Sequence, residues 1–397
     1  MDKYMHLNYR VIFFLLLITS FASNALSTQE QLKVTHPDFP EPLAFNISLP
    51  SGYAQNPDKS YVLMFDFHHN ADTYLRGMHD WMSHNGEWPW LKTIMITPAA
   101  GNRVGKLFDA TGKTTPLLDF FEDTLFPAVD KQFRTNGFKI ISGFRHNGSI
   151  ALSALLNKPD MFNAYIAISP ELKNDFGGIL STASKKLAKL DDKPRFLLFS
   201  HGTNIKEEHQ IASYQQLNST LNRHAPNKLD WHYKHFDNNY FMSLPLVSII
   251  MGIEKIFDDI HTGLAPESEI SQQGIEAIIE HYDYLSQHKY GFDVSPKFSI
   301  NALGFYLLDT SSQDGLKVFK EMVRRYPKDA YSHHNLARAY EKLGDFISAV
   351  KHQKDAVKLA DNMLTWHKKR HRRFLKEYLA KSHDVTSKSE QSHSPAN

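Results

Sequence analysis

The feature that most constrains the fold is the segment 138–152, with the sequence FKIISGFRHNGSIAL. An apolar stretch of strand length ends at Ser142, and Gly143 and Gly148 frame a short polar connection. Apolar residues at helical spacing follow directly. Because glycine tolerates backbone conformations and close approaches that other residues avoid, this pattern indicates a sharp turn. The segment therefore predicts a buried strand that turns at once into a helix.

Similar apolar runs recur between residues 60 and 257. They are YVLMFDF, LKTIMIT, FKIISG, AYIAIS and RFLLFS. Continuous apolar runs, unlike alternating ones, are typical of parallel strands that are buried on both faces. Amphipathic segments such as 117–133 and 148–157 lie between them. This order predicts a doubly wound, mostly parallel α/β sheet, with further strands in 31–50 and 231–236.

After about Gly263 the strand-like runs stop and helical patterns continue. Leu336 follows Leu303 by 33 residues and Ala349 follows Gly315 by 34, close to the tetratricopeptide period of about 34 residues. The small and apolar residues at repeat spacing are Leu303, Gly304, Leu307 and Gly315 in one copy, and Leu336, Ala337, Tyr340, Gly344, Ala349 and Ala356 in the next. We expect an all-α, tetratricopeptide-like domain.

A plain helical hairpin is the alternative, because His333 replaces the first tryptophan of the repeat and the second copy lacks its closing proline. Residues 268–290 are predicted to form a capping helix pair, since a repeat needs a neighbour to bury its apolar face. The predicted domains are 30–262 for the α/β sheet and 263–381 for the helices. The Ser-, His- and Lys-rich tail 382–397 is predicted to be disordered.

The N-terminal residues have the pattern of a secretory signal peptide. Lys3 and Arg10 precede an apolar run, and small residues follow at Ser23 and Ala25. The run 11–22 is short for a membrane anchor, so residues 1–25 are predicted to be a cleaved signal peptide of a periplasmic or secreted protein.

Composition excludes several kinds of site. The chain has no cysteine, which rules out disulfides, thiolate metal ligands and a cysteine nucleophile. A net charge of +2 is too small to indicate nucleic-acid binding through a general field. The basic segment 367–376, HKKRHRRFLK, is interpreted as the solvated face of a terminal helix, with binding to anionic lipid or an acidic partner as the alternative.

Four segments together resemble the esterase family that includes esterase D and enterochelin esterase. They are VLMFDF, GNRVGKLFDATG, LLDFFEDTLFPAVDKQFRTNGFKIISG and KPDMFNAYIAISPEL. The resemblance runs from about residue 43 to residue 257. It implies an α/β-hydrolase fold and a triad in the chain order Ser, Asp or Glu, His, with the serine in a G-x-S-x-G turn.

The resemblance places the three catalytic positions on residues that cannot do this chemistry. Arg145 stands at the serine position, Asn204 at the acid position and Phe241 at the histidine position. Neighbouring candidates are Glu207, Glu208 and Tyr240. A serine hydrolase needs a hydroxyl nucleophile, an imidazole to take its proton and a carboxylate to orient that imidazole. We therefore expect the family's fold without its usual chemistry.

Arg145 at the tip of the turn points to an anion-binding pocket. Its guanidinium carries five fixed donors and a permanent charge, which suit a carboxylate or phosphate. The family's oxyanion-side donors correspond to the amide of His146 and to one from the loop at Phe67 and His68. Together these groups predict a site for a small anionic ligand or ester.

Two other readings of the pocket stay open. Arg145 can pair internally with Asp66 or Glu171 and plug the pocket. Alternatively, an active hydrolase can use histidines at other positions with a displaced acid. Those histidines are His146, His201 and His209. Ser142 and Ser149 are not expected to act as nucleophiles, because neither lies at the tip of the turn.

A cluster of potential ligands follows the first predicted strand of the parallel sheet. It comprises Asp66, His68, His69, Asp72, His79, Asp80 and His84. Its spacing matches no zinc signature, and H-E-x-x-H is absent. It is interpreted as a polar loop, and no metal or cofactor is predicted.

These observations favour an exported, esterase-like domain that acts by binding, joined to helices that bind a protein partner. An active ester or acyl hydrolase and a purely structural adaptor are the alternatives. No nucleic-acid partner is expected.

Overall fold

The computed structural model describes residues 28–83 and 89–391, with side chains described to residue 383. The predicted signal peptide, 1–25, and His84 of the polar loop lie outside the described residues. Among the described helices, none combines the length and the apolar character that a membrane crossing requires.

The described strands form one eight-stranded sheet in the order β1-β2-β4-β3-β5-β6-β7-β8. They are β1 Thr28–Val34, β2 Leu43–Leu49, β3 Tyr61–Asp66, β4 Thr93–Pro98, β5 Thr135–Phe144, β6 Ala164–Ile168, β7 Arg195–Gly202 and β8 Leu229–Phe236. The pairs from β4 to β8 are parallel, and β1 and β2 run antiparallel at one edge. The predicted class, a doubly wound and mostly parallel sheet followed by helices, is confirmed, and every predicted run became a strand.

The helices connect these strands and then continue to the C-terminus. They are α1 Ala71–Met82, α2 Pro116–Phe120, α3 Phe126–Gln132, α4 His146–Asn157, α5 Ile179–Leu187, α6 Ile211–His224, α7 Leu244–Ile256, α8 Asp258–His261, α9 Glu269–Gln272, α10 Ile275–Tyr284, α11 Lys297–Thr310, α12 Ser312–Arg325, α13 Ala330–Lys342, α14 Phe346–Leu359 and α15 Thr365–Gln391. Single π-helical turns, Phe121–Leu125 and Leu285–Tyr290, join α2 to α3 and extend α10.

The two faces of the sheet bury two different cores. Successive residues of a strand point to opposite faces, so Leu63 and Phe65 of β3 belong to the core covered by α2–α6. Val62 and Met64 face the other core, which α1 and α7 cover. This two-sided burial explains why β3 is apolar at every position before its last residue.

The helices after α8 complete the second core instead of forming a separate unit. The ring of Phe138, on β5, lies 5.6 Å from that of Tyr290 and 5.9 Å from that of Phe257. The Tyr290 hydroxyl donates to the carbonyl of Ile256 at 2.8 Å. Ile300 and Phe319, on α11 and α12, are fully buried in the same core. The helical region therefore stabilises the sheet that carries the predicted site.

Two antiparallel helix pairs, α11 with α12 and α13 with α14, follow the predicted capping helices α9 and α10. Gly304 and Gly315 permit the first pair to approach closely. A Cβ on Gly304 would lie 2.7 Å from the Phe319 ring, and one on Gly315 would lie 2.5 Å from the Leu308 amide. The small residues at repeat spacing are thus contacts between helices.

The last helix, α15, differs from the expectation of a disordered tail that begins at Ser382. It continues to Gln391, and residues 392–397 lie outside the described part of the chain. The span 365–391 contains no glycine or proline that would end a helix. Buried Tyr378 and His371 attach α15 to the preceding pair, which supports the helix where composition alone suggested disorder.

Neutral histidines lie between α13, α14 and α15. His334 is fully buried and donates from Nδ1 to Gln353 Oε1 at 2.8 Å, and Gln353 Nε2 donates to the His371 carbonyl at 2.9 Å. His371 is also fully buried, 5.0 Å from His334 between ring centroids. Burial lowers the pKa of His334 and of His371 from 6.5 to about 4 in each case. The nearby charge of Arg370 acts in the same direction.

The first prediction concerns acid stability. In the unfolded chain His334 and His371 become protonated below pH 6.5, whereas in the folded chain they stay neutral down to about pH 4. Because the unfolded state binds more protons between these values, the free energy of unfolding falls as the pH falls from 6.5 to 4. We expect His371→Leu to flatten this loss while keeping stability at pH 7. Thermal melts followed by circular dichroism between pH 7 and pH 4 would measure it. The exposed His288→Gln is the control, and equal pH slopes in all three proteins would contradict the prediction.

Candidate functional site

The turn between β5 and α4 has the backbone of a nucleophile elbow with an arginine at its tip. Arg145 has φ 59° and ψ −124°, a conformation that costs a non-glycine residue about 1–3 kcal/mol. Its amide donates to the Ile168 carbonyl on β6 at 2.9 Å, and its carbonyl accepts the Ser149 amide at 3.1 Å. These two bonds hold the strained tip between the strand and the helix.

The two glycines that frame the turn are required by close backbone approaches. A Cβ on Gly143 would lie 2.2 Å from the carbonyl oxygen of Asn147. A Cβ on Gly148 would lie 2.9 Å from the carbonyl oxygen of Ile168. The helix therefore starts directly against β5 and β6, as the glycine spacing predicted.

The side chain of Arg145 is exposed and does not pair with either acid that was considered as an internal partner. Among the described residues, it forms no ion pair and no side-chain hydrogen bond. Its nearest recorded contact is the ring of Phe241, 6.0 Å from the guanidinium carbon to the centroid. The reading in which Arg145 pairs with Asp66 or Glu171 and plugs the pocket therefore does not hold in this structure.

Both acids have other partners. Asp66, at the end of β3, accepts the Ser142 hydroxyl at 2.5 Å and the His68 amide at 2.9 Å. Burial raises its pKa to about 6, and the two hydrogen bonds oppose this shift only in part. Glu171 accepts a hydrogen bond from the Gln210 side chain. Neither carboxylate faces the tip of the turn as a partner for Arg145.

The bond between Asp66 and His68 changes the expected oxyanion site. The His68 amide points at the Asp66 carboxylate, so it is not free to donate to a ligand. Phe67 is buried, with its ring 4.8 Å from that of Phe65. The amide of His146 is the first of α4, and such an amide has no acceptor within its own helix. Of the expected donors, the His68 amide is therefore engaged, whereas the His146 amide has no acceptor within its helix.

Asn204, at the expected acid position, and the neighbouring Glu207 both form local hydrogen bonds. Asn204 Oδ1 accepts the Lys206 amide at 3.0 Å, a local turn bond. Glu207 is 1% exposed and accepts the Gly202 amide with both oxygens, at 3.2 and 3.1 Å. The carboxylate next to the predicted position is therefore used to hold the end of β7.

The histidine position is filled by an aromatic ring. Phe241 is 7% exposed and packs on Phe144, with 4.8 Å between ring centroids. Tyr240, the neighbouring candidate, is 85% exposed. Lys206 Nζ lies 5.5 Å from the Phe241 centroid. The structure therefore brings Arg145, Phe241 and Lys206 together, and the sequence had not singled out Lys206.

The replacement nucleophiles and bases are engaged elsewhere. Ser142 donates to Asp66, and Ser149 donates to the Glu171 carbonyl at 2.6 Å. His201 is 3% exposed; its Nδ1 donates to the Gly202 carbonyl at 2.8 Å, which leaves Nε2 to accept from Tyr233 at 2.6 Å. Burial lowers the pKa of His201. These hydrogen bonds make His201 a structural residue of the sheet edge.

The two remaining histidines lie near the tip without a nucleophile. His209 is 4.0 Å from the Glu171 carboxylate and 3.0 Å from the Gln210 side chain. His146 is exposed and its ring lies 5.0 Å from that of Phe176. Neither has a serine or threonine hydroxyl as a recorded hydrogen-bond partner.

The polar loop after β3 does not gather its ligands. Asp72 accepts the Ser48 hydroxyl at 2.6 Å, and His79 Nε2 accepts the Thr93 amide at 3.0 Å. Within residues 28–83 and 89–383, no three His, Asp or Glu side chains of this loop converge at the spacing of a metal site. Asp72, His79 and Asp80 lie on α1 and not in a loop, and the bonds of Asp72 and His79 attach this helix to β2 and β4.

The sheet order, the strained turn and the flanking helices define an α/β-hydrolase fold. Residues 38–225 match the family model described as "Putative esterase". This segment of the chain is therefore similar in sequence to that esterase family. No curated protein matches the sequence significantly.

Solved structures agree with this fold. An IroE-like serine hydrolase from Shewanella oneidensis is 20% identical with a TM-score of 0.54, covering 71% of this chain and 95% of its own. An uncharacterised protein from Capnocytophaga ochracea is 17% identical with a TM-score of 0.62, and the match covers 89% of this chain and 100% of the Capnocytophaga chain. The BES protein from Bacillus cereus is 18% identical with a TM-score of 0.50, covering 64% and 98%. At these identities the likeness concerns the fold.

The second prediction tests the strain at the tip. Arg145→Gly should stabilise the protein by about 1 kcal/mol, because glycine adopts this conformation without the penalty and the arginine forms no bond to lose. Urea unfolding at pH 7 measures the change. Arg223→Gly, in the last turn of α6, is the matched control and should destabilise by about 1 kcal/mol. A lower midpoint for Arg145→Gly would show that its side chain contributes stability.

Proposed function

We propose that this protein is an exported esterase-fold protein that binds a small anionic ligand at the elbow and does not hydrolyse esters with a serine triad. The observation that carries the proposal is the exposed Arg145 at the strained tip, whose guanidinium has no ion pair and no hydrogen bond with a described side chain. The N-terminal pattern in the sequence supports export.

The absence of triad chemistry follows from what the three positions can do. A guanidinium stays protonated and cannot act as a nucleophile. Asn204 cannot orient an imidazole as a carboxylate does, and Phe241 cannot accept a proton. When the members of such a triad are removed, catalysis falls by about a millionfold and only binding and oxyanion donors contribute.

The charges at the tip favour an anion. Arg145 and Lys206 both lie over the ring of Phe241, and neither forms an ion pair with a described carboxylate. Two unpaired positive charges around one aromatic ring make the local potential favourable for an anion. The backbone amide of His146 lies at the N-terminus of α4, where the helix dipole is positive. It adds a hydrogen-bond donor that also favours an anion.

The groups around the tip also indicate which chemical groups the ligand carries. A guanidinium binds carboxylate or phosphate with two parallel hydrogen bonds. The half-buried ring of Phe144 and the ring of Phe241 offer an apolar surface beside these donors. A small carboxylate or phosphate with an apolar portion fits this combination.

The third prediction concerns ester hydrolysis. We expect the full chain to hydrolyse a short-chain p-nitrophenyl ester no faster than denatured protein does. Arg145→Ala and Arg145→Ser should behave alike, because a serine at the tip still lacks its base. Saturable turnover that survives in Arg145→Ala but is lost in His146→Gln or His209→Gln would instead support the active hydrolase with displaced residues.

The fourth prediction concerns the anion. In isothermal titration with acetate, benzoate and inorganic phosphate at low salt, at least one anion should bind the full chain, and Arg145→Ala should weaken it about tenfold or more. Lys206→Ala should have a smaller effect in the same direction.

Arg223→Ala, an exposed arginine on α6, is the control for the loss of one positive charge and should bind as the unchanged protein does. Equal affinities for the unchanged protein, Arg145→Ala and Arg223→Ala would contradict an anion site at the elbow.

A further inference from the structure

We propose that the second helix pair of the C-terminal region, α13 with α14, holds a divalent transition-metal ion between His333, His352 and Asp355. This site is remote in sequence from the elbow and from the polar loop, and it differs from the expectation of no metal. One ligand atom from each of the three residues lies within 4.8 Å of the other two.

The two imidazoles present unused ring nitrogens. Nδ1 of His333 and Nδ1 of His352 are buried, and neither has a hydrogen-bond partner. His333 is 8% exposed as a residue. A buried polar atom without a partner is destabilising, and native proteins leave few of them. A bound cation would satisfy both nitrogens at once.

The hydrogen bond of the other ring nitrogen of His333 fixes the imidazole tautomer that a metal ion requires. Nε2 lies 3.0 Å from the Pro327 carbonyl oxygen, which can only accept a hydrogen bond. The proton is therefore on Nε2, and the lone pair is on Nδ1. Metal-binding histidines usually donate their second N–H to a carbonyl or carboxylate in this way.

The third ligand and the support for the second imidazole come from the helix geometry. Asp355 follows His352 by three residues on α14, so the two side chains share one face of the helix. An Asp355 oxygen is 3.7 Å from Nδ1 of His333, across the pair. The ring of Tyr340 stacks on that of His352 at 5.6 Å and an interplanar angle of 8°, which restricts how the imidazole rotates.

The ligand set selects the class of ion. Two imidazoles with one carboxylate suit zinc, copper or nickel, whereas calcium and magnesium prefer several oxygens. Four-coordinate zinc at about 2.0–2.1 Å from nitrogen places neighbouring ligand atoms roughly 3.3 Å apart. Small side-chain rotations bring atoms now within 4.8 Å to that spacing. Water or a ligand fills the fourth position.

Such an ion would cross-link α13 to α14. Both helices also contact α15 or the preceding pair, so the ion would stiffen the region through which we expect a partner to bind. Its binding energy would add to the stability of the folded chain, because the unfolded chain does not hold the three ligands together.

The test uses the full chain without a histidine tag, stripped with chelator and titrated with Zn²⁺, and with Co²⁺ for its visible spectrum. We expect one equivalent to bind, a rise in melting temperature that grows with Zn²⁺ concentration, and the absorption of a low-coordinate Co²⁺ site. His352→Gln and Asp355→Asn should each weaken Zn²⁺ binding about tenfold or more, since losing even an outer partner has that effect.

His288→Gln and Asp361→Asn, at exposed positions outside the cluster, are matched controls and should bind Zn²⁺ as the unchanged protein does. Circular dichroism of each metal-free variant verifies its fold, and Asp355→Asn keeps the shape of the side chain. Equal losses in the controls, or no loss in His352→Gln and Asp355→Asn, would overturn the proposal and show only adventitious binding to surface histidines.

Discussion

The close backbone contact of β5, α4 and β6 around Arg145 is the constraint on which the rest of the site depends. The tip residue adopts its strained conformation because its amide is bound to Ile168 and its carbonyl to the Ser149 amide. Gly143 and Gly148 permit that contact, since a side chain at either position would meet backbone atoms. Strain of this kind persists only where the surrounding structure enforces it, and here the sheet enforces it whatever side chain stands at the tip.

Backbone contacts, rather than the side chain at the tip, maintain the elbow. They are the close approaches permitted by Gly143 and Gly148 and the main-chain bonds of Arg145. Phe241, in the place of the histidine, even adds apolar contact with Phe144. The elbow therefore presents the exposed, positively charged Arg145 at its tip, which is the basis of the proposed anion site.

The helical region is an integral part of the same structure. Phe138, Phe257 and Tyr290 pack together beneath the sheet, so the helices after α8 bury sheet surface that would otherwise face water. Events in the helical region, such as protonation of the buried His334 and His371, can consequently affect the stability of the domain that carries the elbow. The two regions share one hydrophobic core.

The sequence by itself determined the strands and the elbow, because these depend on local patterns: apolar runs and glycine spacing. It did not show that Asp66 accepts a hydrogen bond from the His68 amide, or that Lys206 lies near the ring of Phe241. It also gave no sign that α15 continues past Ser382. Only the tertiary structure decided these points, because they depend on how separate elements pack.

The group His333, His352 and Asp355 belongs to the same class of tertiary outcome. The i, i+3 spacing of His352 and Asp355 is visible in the sequence, but their approach to His333 is set by the packing of α13 on α14. A sequence pattern reports which face of one element is apolar or polar. The distance between polar groups on two elements is set by the side chains packed between them, and that is information that no local pattern contains.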